Sequence, residues 1–270
     1  RYQPRSRGLG DVYKRQTRYF QSLSRAPKPT TSQTSRRSTL SQTIAMKQKI
    51  WIFDLDDTLH DASAHIFPVM NRAMTQYIMD KLNLDEHEAH QLRQHYWRIY
   101  GATLKGLMRH HGVDAYHFLK ETHAFMDLPN MVVQVKRLRH TLQILEGRKV
   151  IFTNAPRAYA LRVLDILGIG DMFDLVFSVE SSRFHAKPSV RGFKILLKSI
   201  KFKAENCIML EDNLPALMTA KRLGMRTIWV TKKLQKPNFV DYRVNSVLAL
   251  THLKLSLIHI SEPTRPRLSS

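Results

Sequence analysis

Cysteine is nearly missing from this 270-residue chain. Cys207 is its only one, so no disulfide framework can be closed within it. Its place in an apolar strand-like run reads as a buried, inert thiol. Apolar runs near the roughly 18 residues that cross a bilayer are also missing, so a soluble, cytoplasmic protein without a membrane partner is expected. There is no internal repeat and no aromatic-studded RNA motif. Acid is scarce, with 43 Lys and Arg against 22 Asp and Glu and a formal charge of +21. Such a balance favours anionic partners, but it is unevenly spread.

Much of the excess sits at the ends. Residues 6–16 read SRGLGDVYKRQ and residues 255–265 read LSLIHISEPTR. One DNA stretch encodes the second and its reverse complement, in phase, the first. That pattern resembles a sequencing-library adapter translated from both sides of one insert, so 1–16 and 255–270 are read as adapter and left out of the fold. Residues 17–45 are rich in Ser, Thr and Arg and contain no acid. They read as translated upstream sequence before a start at Met46, or as a leader that cannot bury a core. Residues 46–254 carry 31 Lys and Arg against 20 Asp and Glu, a net +11. Single lysines such as Lys232, Lys233 and Lys236 are then ordinary solvated surface, and no specific nucleic acid is expected.

Within 46–254 the organisation is that of an α/β protein. Short apolar strands are expected at 49–54, 149–153, 175–178, 206–210 and 226–230. They alternate with helices at 157–167, 190–200 and 214–223, the signature of a parallel sheet. Asn213 and Gly224 are placed to cap the last helix. From 60 to 148 there is no strand pattern. Phe67, Met70, Met74 and Ile78 recur at helical spacing, as do Val135, Leu138, Leu142 and Leu145. Further helices are expected at 86–100, 103–111 and 115–126. This stretch is too long for a loop and reads as an all-helical cap inserted between the first and second strands, the core being 46–59 and 149–254.

In an open parallel sheet, ligands collect where strands end. The first strand ends in Asp54, Asp56, Asp57 and Thr58, with 54, 56 and 58 on one face by period-two alternation. Two carboxylates so placed repel unless a cation or proton intervenes. The second strand ends in Thr153-Asn154 before a helix start whose N–H groups favour phosphate. Lys187-Pro188 precedes a helix, and Glu211-Asp212-Asn213 follows the 206–210 strand. Each piece alone is a common turn or cap. Their order, each at a strand end or helix start, is what carries weight.

With these four matches, Asp54–Thr58, Thr153–Asn154, Lys187 and Glu211–Asp212, the chain resembles the haloacid dehalogenase-like phosphohydrolase superfamily. The resemblance implies a Rossmann-like sheet with the cap in the place where the helical stretch lies. It implies Asp54 as nucleophile forming an aspartyl-phosphate and Asp56 as acid and base. Thr153, the backbone of Asn154 and Lys187 would bind phosphate. Mg²⁺ would be held by Asp54, Asp212, the Asp56 carbonyl and Glu211, hard oxygen donors of the kind this ion takes. Ile151–Ala155, 162–169, 172–174 and the cap stretch 100–107 are similar to the pyrimidine 5′-nucleotidase branch. UMP or CMP is therefore the expected substrate, with Tyr100, Thr103 and Lys105 as candidate specificity residues. The alternatives are a phosphatase for phosphoglycolate or a sugar phosphate, a sugar-phosphate mutase, and a non-catalytic basic binding protein. His87, His90, His110, His111, His117 and His123 form no recognised zinc spacing and are read as solvated helix faces. Arg183 and His185 either reach the site or line a surface loop.

Overall fold

The computed structural model describes residues 49–252; the two ends read as adapter and the 17–45 leader lie outside the described residues. Six strands form one parallel sheet: β1 (Ile50–Phe53), β2 (Arg148–Phe152), β3 (Leu175–Phe177), β4 (Cys207–Glu211), β5 (Arg226–Val230) and β6 (Tyr242–Val244), in the order β3-β2-β1-β4-β5-β6. The order reverses between β1 and β4, so the ends of these two central strands flank the switch point where α/β sheets bind ligands.

Alternation sorts the central strands into two apolar layers. Ile50 and Ile52 of β1, Val150 and Phe152 of β2, and Cys207 and Met209 of β4 face one way. Trp51, Phe53, Ile151, Ile208 and Leu210 face the other. All four residues of β1 are buried, as the continuous apolar run of a strand covered on both faces requires. Helices α8 (Val190–Ile200) and α9 (Leu214–Arg222) cover the first layer through Phe193, Leu196, Ile200, Leu217 and Ala220. Helix α7 (Arg157–Ile166) covers the second through Ala160, Val163 and Leu164. As expected, the Asn213 side chain caps α9, accepting from the Ala216 N–H at 3.2 Å.

Six helices lie between β1 and β2: α1 (Ile66–Leu82), α2 (Glu86–Tyr100), α3 (Thr103–His111), α4 (Ala115–Thr122), α5 (Leu128–Met131) and α6 (Leu138–Ile144). Helices α1 to α4 share a core of their own, with Tyr77, Ile78, Tyr96, Leu107, Phe118 and Leu119. Helices α5 and α6 do not join it. Leu128, Leu138, Leu142 and Leu145 pack with β1 and α7 instead. The stretch expected as one cap over 60–148 is divided by its packing: Ala62, Ile66, Phe67 and Met70 at its start and the apolar residues from Phe125 onward join the sheet-side layer.

Three local expectations need correction. The helix expected at 115–126 stops at Thr122, and a separate short helix follows with Pro129 in its first turn, where proline's missing N–H costs nothing. Val135 lies before its helix rather than in it. Strand β6 was not expected, because three residues, of which only Val244 is buried, offer too short a pattern; Asp241, bonded to Thr227 N–H and Lys221, pins its start against β5. Among the described residues no helix is long and apolar enough to cross a membrane.

Candidate active site

The carboxyl edge of the sheet gathers the four sequence motifs. Asp54 follows β1 directly, and its N–H extends the ladder to the Leu210 carbonyl of β4 at 2.9 Å. That bond sets Asp54 beside Glu211, the last residue of β4, and Asp212, the next. Oxygens of Asp54, Glu211 and Asp212 all lie within 4.8 Å of one another. The Lys187 ammonium is inserted between two of them, donating to Asp54 Oδ1 at 2.6 Å and to Glu211 Oε2 at 2.5 Å.

Lys187 is placed by two devices remote from it in sequence. The Asn154 side chain bonds both polar groups of the Lys187 backbone, accepting from its N–H at 2.7 Å and donating to its carbonyl at 3.0 Å. Gly192 lets α8 approach the same loop: a Cβ there would lie 2.1 Å from the His185 carbonyl oxygen. Thr153 is buried, and its hydroxyl oxygen accepts from the Ala155 N–H at 3.0 Å, leaving the O–H to donate.

The Asn154 side chain is occupied as a clamp on Lys187, which leaves its backbone N–H, the group expected to meet phosphate. One expectation changes here: the first N–H of α7 is not open to an anion, because Glu180 takes the Arg157 N–H at 3.0 and 3.1 Å. The loop after β3 supplies the anion that this helix start favours.

Charge at this edge is unbalanced. Three carboxylates face one ammonium, leaving two negative charges in excess when all are ionised. Burial raises the Asp54 and Glu211 carboxyls above the ordinary range. Burial and the Asp54 charge push Asp212 up to about 7. Burial opposes the Lys187 ammonium, but the charges and hydrogen bonds of Asp54 and Glu211 outweigh it and keep it protonated. Clustered hard oxygens with a two-charge deficit fit a divalent cation such as Mg²⁺. The Asp56 carboxylate is not one of these three, though it lies near enough for its charge to help raise Asp54.

The Asp56 carboxylate meets residues that no motif singled out. Its Oδ1 lies 2.6 Å from the Tyr159 hydroxyl and 3.0 Å from His60 Nε2. Burial, with the neighbouring Asp56, pushes the Tyr159 phenol well above its usual range, so it stays an O–H donor. His60 is brought to Asp56 by a turn, with Asp57 at φ +57° and the Leu59 N–H on the Leu55 carbonyl at 2.9 Å, so strand alternation does not predict it. Tyr159 carries no local signal either, lying 103 residues from Asp56. His123 packs its ring against Tyr159 at 5.8 Å, and burial lowers its pKa to about 4, so it is neutral.

The cap candidates separate. The turn joining α2 to α3 abuts the Lys187 loop: a Cβ on Gly101, whose φ is +75°, would lie 2.7 Å from Pro188 Cδ. Tyr100 and Lys105 sit at this turn, with the ammonium 5.8 Å from the ring centroid. Lys105 is also close enough to His185 to lower its pKa, after burial and Arg191. Thr103 is different. It is buried, and its hydroxyl donates to the Arg93 carbonyl at 3.1 Å, so it ties α3 to α2 and has no free group for a ligand. Arg183 is exposed on its loop.

The histidines have structural partners. His110 and His111 pair with the hydroxyls of Tyr100 and Tyr96 at 2.6 and 2.7 Å, and His117 with Tyr77 at 3.0 Å. Glu88, beside His87, closes the capping box of α2 with Asp85. The Cys207 thiol is buried, which pushes its pKa up to about 12.

This sheet order and acidic edge match a known class. The chain belongs to the haloacid dehalogenase-like hydrolase family, whose profile matches residues 51–230. It is 27% identical over 195 residues to phosphate metabolism protein 8 of Saccharomyces cerevisiae, covering 66% of this chain and 60% of that protein. It is 25% identical over 232 residues to glyceraldehyde 3-phosphate phosphatase of Methanocaldococcus jannaschii, covering 76% and 96%. Among solved structures, a haloacid dehalogenase phosphatase from Thermococcus onnurineus superposes with a TM-score of 0.56 at 19% identity, covering 76% of this chain and 97% of that one. CbbY from Rhodobacter sphaeroides, in complex with phosphate, gives 0.55 at 17%, covering 75% and 96%. At these identities the superpositions speak for the fold.

Proposed function

We propose that the protein is a Mg²⁺-dependent phosphomonoesterase that hydrolyses a nucleoside 5′-monophosphate, UMP or CMP, in the cytoplasm. The observation that carries the phosphatase reading is the division of labour between two carboxylates on one strand end. Asp54 is held by an ammonium among the acidic cluster, and Asp56 is held apart by two donors. Paired carboxylates in unlike surroundings are suited to different roles.

In the first step an Asp54 oxygen attacks phosphorus, the bond to the ester oxygen breaks, and the proton of Asp56 passes to that oxygen to release the alcohol. In the second, water attacks the aspartyl-phosphate, Asp56 takes the water proton, and inorganic phosphate leaves as the Asp54 carboxylate is restored. Lys187, the Thr153 hydroxyl and the Asn154 N–H hold phosphoryl oxygens where charge develops. Asp54, Asp212, the Asp56 carbonyl and Glu211 would hold Mg²⁺, which supplies charge neutralisation at the phosphate. Lys187 already engages Glu211 Oε2, so Glu211 would hold the ion through Oε1 or through water.

The nucleotide reading rests on 151–155, 162–169, 172–174 and 100–107, with Tyr100 and Lys105 facing the substrate. A second reading is favoured by the relative named a glyceraldehyde 3-phosphate phosphatase: another small phosphorylated metabolite. Phosphate release from UMP, CMP, phosphoglycolate and glyceraldehyde 3-phosphate, measured side by side with Mg²⁺, decides between them. Turnover of UMP or CMP at the highest kcat/KM is expected. Turnover of a triose or glycolate ester without the nucleotides sinks the nucleotidase reading.

A further inference from the structure

Asp56 has two oxygens, and the fold treats them differently. Oδ1 meets both the Tyr159 hydroxyl, at 2.6 Å, and His60 Nε2, at 3.0 Å. An sp² carboxylate oxygen has two lone pairs, so two donors fill it. Among the described residues nothing bonds Oδ2. The two holders are rigid: His60 and Tyr159 are 3% and 4% exposed, while the Asp56 side chain keeps 15% of its surface open. Tyr159 is itself wedged between the rings of Phe125, at 5.7 Å, and His123, at 5.8 Å. Both belong to the segment that leaves α4 for the sheet, so Asp56 is oriented partly by the junction of the helical insertion.

We infer that Tyr159 and His60 are positioning residues for the acid/base: by filling Oδ1 they assign the catalytic proton to Oδ2 and aim it at the ester oxygen. This rests on the phosphomonoesterase reading above. As the Asp54–phosphorus bond forms and the phosphorus–ester oxygen bond breaks, the proton leaves Oδ2 for the departing oxygen, while the Oδ1 bonds persist. Neither holder touches substrate.

A group that positions a general acid matters in proportion to how much the leaving oxygen needs a proton. The test compares kcat/KM for p-nitrophenyl phosphate, whose phenolate leaves unaided, with that for the best-used alkyl ester among UMP, CMP, phosphoglycolate and glyceraldehyde 3-phosphate, whose alkoxide does not, both with Mg²⁺. Tyr159→Phe keeps the ring packing and removes only the hydroxyl. It is expected to lower kcat/KM for the alkyl ester by about 10- to 100-fold, part of the usual contribution of general acid catalysis, and for the aryl ester by less than about 3-fold. His60→Leu repeats the selective loss, and His60→Gln, which keeps an N–H donor, restores most of it. The His60 pair decides the question if Tyr159→Phe does not fold. Equal losses on both esters in an active enzyme overturn the inference and leave the phosphatase reading standing. A parent that releases phosphate from neither ester overturns both.

Discussion

At the carboxyl edge of the sheet, Asp54, Lys187 and Glu211 are buried and answer one another's charges. In α2 and α3, by contrast, the tyrosines that line the cap send their hydroxyls to exposed histidines. The first region is dry, charged and held by residues far apart in sequence. The second is wet at its rim and built from near neighbours. Burying charge is costly unless it is paired or serves chemistry, so the edge is retained for what it does. The cap's polar groups cost little where they are, and they can vary without loss of fold. On the proposed function, catalysis and substrate choice would sit on regions with different energetic constraints.

The comparison is broken most directly at Asp54. Asp54→Asn should abolish phosphate release, by roughly 10⁴-fold or more as for the loss of other nucleophiles, while leaving the protein folded, because it removes one of three crowded carboxylates. Near-parental turnover would take the nucleophile role from Asp54. Lys187→Met acts on stability instead. It leaves the buried carboxylates without their cation and should cost about 3–5 kcal/mol of unfolding free energy at neutral pH. Denaturant unfolding that matched the parent would mean that the edge is wetter than its burial implies.

A pH titration of unfolding without metal sharpens the same contrast. The Asp212 pKa is about 7 in the folded protein, above its ordinary value. The protonated form is therefore favoured by folding, and this contribution is complete below about pH 4 and lost as pH rises through about 7. The metal-free melting temperature should fall across that window, and Mg²⁺ should restore it most above pH 7. A profile unaffected by Mg²⁺ would remove the cation from the edge. The smallest effects belong to the cap. Thr103→Val should cost about 1 kcal/mol of stability for the lost bond with KM unchanged. Lys105→Ala should raise KM by about 3- to 10-fold, the size of a partly exposed charge contact, with kcat kept. A larger rise in KM for Thr103→Val than for Lys105→Ala would reverse their roles.

The parallel sheet was legible because its strands are short apolar runs bounded by turn residues, and alternation along 50–53 and 207–211 tells which residues share a face. The four motifs were legible for the same reason: each follows a strand or opens a helix. What escaped were contacts without local period. Helices α5 and α6 carry the apolar spacing of any amphipathic helix, and nothing in it says that they face the sheet. The start of α7 looked open to phosphate because a free helix start and one filled by Glu180 have the same local residues. Thr103 looked available because a buried hydroxyl and an exposed one read alike.

By itself, then, the sequence determined the α/β architecture, the helical insertion and the acidic strand ends, since each depends on spacing within a few residues. Tertiary structure alone decided that Lys187 stands between Asp54 and Glu211, and that Tyr159 and His60 share one oxygen of Asp56. Those contacts span up to 133 residues. Their geometry is set by strand order and helix packing, which no local pattern encodes.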